Sequence, residues 1–119
     1  MLRFTTRRTF VIVALTLAGF AASLPAAGQD AAAVKRGQEV YTAQKCSVCH
    51  QVAGKGSKAN PLDGVGAKLP ADDIRQWIVN PTDAAAKANS TKKPPMPAKY
   101  GGLPAEDLDA LVAYMASLK

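Results

Sequence analysis

Apolar positions recur at steps of three and four in three separated stretches, the spacing of a helix face rather than of a strand. Over residues 31–44, Val34, Gly37, Val40 and Tyr41 fall on one apolar or close-packing face. Over residues 71–79, Ile74, Trp77 and Ile78 do the same until Asn80-Pro81, because the residue before a proline avoids the helical region. Residues 105–118 carry the most regular stripe, Leu108, Leu111, Val112, Met115 and Leu118. The last two stretches open alike, with Leu69-Pro70-Ala71-Asp72-Asp73-Ile74 and Leu103-Pro104-Ala105-Glu106-Asp107-Leu108. A proline is tolerated in a first turn, and the acids that follow meet the positive end of the helix dipole. The pattern predicts an all-α domain of first, middle and last helices. Long connections over residues 51–68 and 81–102 join them, and loops of that length in a small domain are usually functional or disordered.

The start of the chain reads differently. Arg3, Arg7 and Arg8 precede an uncharged apolar stretch over residues 10–24, and Ala26-Ala27-Gly28 supplies small residues. This is the order of a secretory signal, and about 15 apolar residues fall short of the roughly 20 that span a bilayer as a helix. The expected division is therefore a signal peptide over residues 1–28, cleaved in preference to being kept as a membrane anchor, and one domain over residues 29–119. Thr6-Arg7-Arg8-Thr9-Phe10 also resembles a twin-arginine export signal.

Without residues 1–28 the body holds 12 Lys and Arg against 9 Asp and Glu, so the basic character of the chain belongs largely to its leader. Nucleic-acid binding, which needs clustered cations and usually interleaved aromatics, loses its main support. Four aromatics and nine Val or Ile in the body argue against an all-β fold. A chain this short, and this poor in large side chains, ordinarily needs a disulfide, a metal or a cofactor to complete its interior.

Cys46-Ser47-Val48-Cys49-His50 contains both cysteines and the single histidine of the chain. On a helical turn, positions i and i+3 present both sulfurs on one face and the imidazole at i+4 joins them. This is the C-x-x-C-H signature of covalent c-type haem attachment, with Cys46 and Cys49 as thioether sites and His50 as an iron ligand. A thioredoxin-like redox pair would belong beside a βαβ pattern, which is absent from the sequence. A disulfide between residues three apart would constrain almost nothing. Zinc usually takes four ligands where this cluster offers three.

The opposite side of the iron then draws on Met96 or Met115. Met115 belongs to the last helix stripe and reads as core filler. Met96 lies in Lys92-Lys93-Pro94-Pro95-Met96-Pro97, where prolines impose extended backbone and make a stiff strap that holds its side chain outward. Met96 is thus the expected second ligand. Its soft, uncharged thioether favours ferrous iron and raises the reduction potential, and two protein ligands leave no open position for a substrate. That combination suits electron transfer and not catalysis.

Together these features resemble the class I cytochrome c family over essentially all of residues 31–119. The resemblance rests on Gly37 and Tyr41, Cys46 to His50, Pro61-Leu62, Trp77, the Met96 strap, and Leu111 with Tyr114. It implies a cytochrome c-like fold whose first and last helices cross near right angles, with Gly37 meeting Tyr114. It also implies one haem c, an iron held by His50 and Met96, and a Pro61 carbonyl that accepts the hydrogen bond of the ligating imidazole. Trp77 resembles the ring that approaches a haem propionate, although its spacing equally suits a core residue. Tyr100 could reach a propionate as well. Such proteins normally cross the membrane unfolded before receiving haem, which favours general secretion over the twin-arginine route.

Lys45, Lys55, Lys58, Lys68, Lys87, Lys92, Lys93 and Lys99 fall in the segments expected around the haem crevice, while acids gather at the later helix starts. This distribution could steer an acidic redox partner, or simply solubilise loops. Asn89-Ser90-Thr91 fits a glycosylation sequon, a short match of little weight. The resulting expectation is a periplasmic or otherwise exported electron carrier, not an enzyme, without a membrane span after cleavage, as a monomer or a subunit of a redox complex. The alternatives are a haem enzyme or gas sensor with a labile Met96, and a fixed cytochrome subunit of a larger dehydrogenase complex.

Overall fold

The computed structural model describes residues 26–119, with side chains from residue 31 onward. The leader expected over residues 1–28 lies outside the described residues, except for the helical backbone of residues 26–28. Helix α1 spans Ala26–Ala43, a 3-10 turn Cys46–Val48, and strands β1 and β2 Gln51–Val52 and Lys55–Gly56. Helices α2, α3 and α4 span Val65–Lys68, Ala71–Val79 and Pro81–Lys87. A second 3-10 turn, Ala98–Gly102, leads to α5 over Ala105–Ser117.

The three helices read from periodicity are present, α3 with the expected bounds, α1 starting five residues earlier, and α5 one residue shorter. The two connections hold more regular structure than their composition suggests. Pro81, a stop for α3, is also the first residue of α4, where its missing N–H costs nothing. The alanines that follow carry the new helix as far as Lys87. Proline thus breaks one helix and starts the next.

The core joins α1, α3 and α5: Val40, Tyr41, Ile74, Ile78, Leu108, Leu111, Val112, Tyr114 and Met115 form one buried cluster. Met115 is core, as its stripe implies. The rings of Tyr41 and Tyr114 meet edge to face, with centroids 5.7 Å apart. A Cβ on Gly37 would lie 2.0 Å from the Ala110 carbonyl oxygen and 2.6 Å from Tyr114 Cβ, so α1 packs on α5 at a distance that only glycine permits. Arg36 donates to Asp107 at 2.6 Å and 2.9 Å, linking α1 to α5, and Arg75 pairs with Asp109 to link α3 to α5. Exposed pairs of this kind contribute little, and burial of the shared apolar face provides most of the stability.

A second close approach was not legible as such. Gly66 of α2 donates its N–H to the Leu118 carbonyl at 2.8 Å, and its own carbonyl accepts from Lys119 Nζ at 2.8 Å. A Cβ there would stand 2.1 Å from the Ala116 carbonyl oxygen. Gly66→Ala should therefore destabilise the fold by about 2 kcal/mol, the scale of overpacking. Denaturant unfolding checks this, and an unchanged midpoint would mean that the contact yields freely.

Candidate functional site

Helix α1 ends where Lys45 enters the left-handed region at φ 56°, which turns the chain back towards the body. The Cys46 carbonyl then accepts two N–H donors, from Cys49 at 3.1 Å and from His50 at 3.0 Å. This winds residues 46–50 into one tight turn. Cys46 is half-buried against the core and Cys49 is exposed, and both are free thiols. Burial above all pushes the Cys46 thiol up to about 11, with the neighbouring Cys49 adding to it.

His50 is half-buried, and its Nδ1 stands 3.1 Å from the Asn60 carbonyl oxygen. A carbonyl can only accept, so Nδ1 carries the hydrogen and Nε2 keeps the lone pair that a metal takes. The carbonyl facing the imidazole is therefore that of Asn60, where the resemblance implied Pro61. The physical reason lies in the local pairing. The Asn60 carbonyl also accepts the Gln51 N–H at 3.3 Å, and the Gln51 carbonyl accepts the Leu62 N–H at 2.8 Å, in a parallel bridge between Gln51 and Pro61. Pro61 is exposed; it acts one step removed, because proline restricts the residue before it to extended backbone. The Asn60 side chain also donates to the Cys49 carbonyl at 3.4 Å.

A short hairpin braces this turn, within a connection whose composition predicts only loop. Ala53 and Gly54, at φ 50° and 78°, make the two-residue reversal between β1 and β2. Asp63 accepts the Ala53 N–H at 2.8 Å and steadies the less common conformation of that alanine.

The strap differs from its expected display. Pro94, Pro95 and Pro97 are exposed, whereas Met96 is half-buried and packs against the core cluster, so its side chain turns inward. Lys92 Nζ donates to the Ala59 carbonyl at 3.4 Å, which ties the strap to the loop that engages His50. Trp77 is half-buried on α3, outside the buried cluster, and among the described residues it makes no hydrogen bond to the turn. Tyr100 packs against the core with the Lys99 ammonium 5.1 Å over its ring. Cys46, Cys49 and His50 are thus brought together in one turn, Asn60 and Pro61 join them, and the Met96 strap reaches them through Lys92.

Among the described residues, no helix is long and apolar enough to cross a membrane. The family model described as Cytochrome c matches residues 34–119. The chain is also similar to a cytochrome c oxidase subunit 2 from Alkalihalophilus pseudofirmus, at 29% identity over 93 residues. That match covers 71% of this chain and 25% of the relative, so the chain spans about a quarter of its length. No solved structure matches the chain. The match over most of the sequence, together with the helical fold and the Cys46-to-His50 turn, makes this chain a member of the cytochrome c family.

Proposed function

We propose that this protein is an exported carrier that moves one electron at a time between redox proteins, through a haem c joined to Cys46 and Cys49 and ligated by His50 and Met96. The observation that carries the reading is the turn itself: two thiols three residues apart, followed by an imidazole whose Nδ1 is already engaged by the Asn60 carbonyl. That donor set fits one haem c, since the sulfurs suit two thioethers and the oriented ring suits an axial ligand. Bound there, the haem supplies an iron that alternates between ferrous and ferric states.

The chain's own residues do the rest. The Asn60 carbonyl fixes the imidazole plane and raises its basicity. Met96, held half-buried by a proline-rich strap, loses little freedom on ligation and presents a soft sulfur that favours the ferrous state. Held by both His50 and Met96, the iron would have no place left for a small molecule, which supports carriage over catalysis. Trp77 and Tyr100 are candidates for the propionate edge. The leader over residues 1–28 directs the chain to the periplasm and is removed there.

Mass spectrometry of the purified protein tests the attachment. The expected result is a mass raised by one haem that persists after acid and organic solvent, and that is lost from a Cys46→Ala, Cys49→Ala double variant. Haem that dissociates from the wild-type chain under denaturation would overturn it.

Lys45, Lys55, Lys58, Lys92, Lys93 and Lys99 are all exposed, while Asp73, Asp107 and Asp109 are engaged in ion pairs on the helices. This supports docking to a partner with an acidic surface, steered by long-range attraction. Electron transfer to such a partner should slow severalfold as ionic strength rises from about 0.01 M to 0.15 M, because the Debye length falls from about 30 Å to 8 Å. A stopped-flow salt series checks this, and a flat profile removes the docking claim.

The likeness to part of an oxidase subunit supports a second reading, a fixed relay within a larger redox complex. Size exclusion of native extracts separates the two. A shuttle elutes at the size of the free chain, and a subunit co-elutes with its complex.

A further inference from the structure

Three contacts converge on the main chain of His50, and the proposed ligation does not by itself explain them. The His50 carbonyl accepts the Ser57 N–H at 3.1 Å, and that same N–H reaches the Ser47 carbonyl at 3.0 Å. The Tyr41 hydroxyl donates to the His50 carbonyl at 3.4 Å. Gly56, immediately before Ser57, sits at φ 103°, and a Cβ there would lie 2.1 Å from the His50 oxygen and 2.9 Å from that of Ser47. The hairpin therefore lies directly on the carbonyl groups of the turn, in a backbone region that side-chain-bearing residues rarely adopt.

These contacts come from separate elements of the fold. Tyr41 is rooted in the α1–α5 crossing, where it is buried with its ring against Tyr114, and its hydroxyl reaches the His50 carbonyl from there. Ser57 follows β2. The His50 ring, meanwhile, is held by Asn60 from the far end of the same connection.

We infer that Tyr41, Gly56 and Ser57 are positioning residues that clamp the His50 main chain between the helix crossing and the β1–β2 hairpin, so that the imidazole is fixed at both its backbone and its Nδ1. The inference rests on His50 as the axial ligand and deepens that reading. A ring tethered only through Nδ1 could still swing with its own backbone. Fixing the carbonyl removes that freedom and sets the imidazole plane before haem is attached. Tyr41 thereby links the packing of the first and last helices to the orientation of the ligand, a role that a phenylalanine of the same shape could not perform.

The test uses the holoprotein in two variants. Tyr41→Phe keeps the ring and removes the donor. Amide hydrogen exchange at Ser57 should then accelerate by about three- to tenfold, the equivalent of one hydrogen bond, while amides of α5 exchange as before. In the oxidised protein, the hyperfine-shifted haem methyl resonances should also redistribute, because their spread follows the axial imidazole plane. Gly56→Ala should produce a larger redistribution; if that variant fails to accumulate, Tyr41→Phe decides alone. Unchanged Ser57 exchange with unchanged methyl shifts in Tyr41→Phe, or equal acceleration throughout the protein, would overturn the clamp and leave Tyr41 as packing only. Failure of the underlying ligation would look different, since His50→Ala would then leave the haem spectrum of the holoprotein unchanged.

Discussion

Met96→Ala should open the iron to outside ligands and lower its reduction potential. The wild-type strap competes with any added ligand from within the molecule. If Met96 occupies the iron about 99% of the time, an outside ligand binds about a hundredfold more weakly than it would to an open site. Titration of the ferric protein with imidazole or cyanide should therefore show an affinity gain of about a hundredfold in Met96→Ala. Redox titration should show the potential falling as the soft sulfur is lost. Unchanged affinity and potential would remove Met96 from the iron. The half-buried placement of Met96 against the core supports this outcome, because its side chain packs inward while the flanking prolines are exposed.

The largest effect on folding is expected at Gly37. Its Cβ position overlaps backbone, the Ala110 carbonyl at 2.0 Å and 2.7 Å, together with Tyr114 Cβ at 2.6 Å. No rotamer change relieves such an overlap, so α1 and α5 must separate and expose part of the shared face. Gly37→Val should cost about 3 kcal/mol or more, beyond ordinary overpacking because the obstruction is main chain. Alanine at the same place already carries the offending atom and should lose most of that stability. Thermal or denaturant unfolding measures this, and a loss below about 0.5 kcal/mol would show that the crossing is not tight.

The helices and the ligand turn were legible for one reason: their signals are local. Stripes such as Leu108, Leu111, Val112 and Met115 express a helix period directly, and Cys46 to His50 lie within five positions. Gly37 was readable because a glycine in the middle of an apolar helix face costs up to about 1 kcal/mol and so implies a close neighbour. What escaped is non-local. The carbonyl that engages His50 belongs to Asn60 because Gln51 pairs beside Pro61, and a main-chain acceptor leaves no mark on residue type. The hairpin was hidden because Ala-Gly is a weaker turn signal than Asn-Gly. Asp63, far from that turn in sequence, makes up the difference. Gly66 lay in a glycine-rich stretch, where one glycine could not be told from another until its contact with Ala116 was seen.

The ligand pair assigned to the iron is the centre of the functional reading, and one spectrum addresses it. The purified, oxidised wild-type protein should show a low-spin visible spectrum with the weak band at the red edge that marks an iron(III)–methionine bond. The band should vanish in Met96→Ala and persist in Met115→Leu. A high-spin wild-type spectrum without that band would contradict His50 and Met96 as a closed pair, and would turn the protein towards ligand binding or peroxide chemistry.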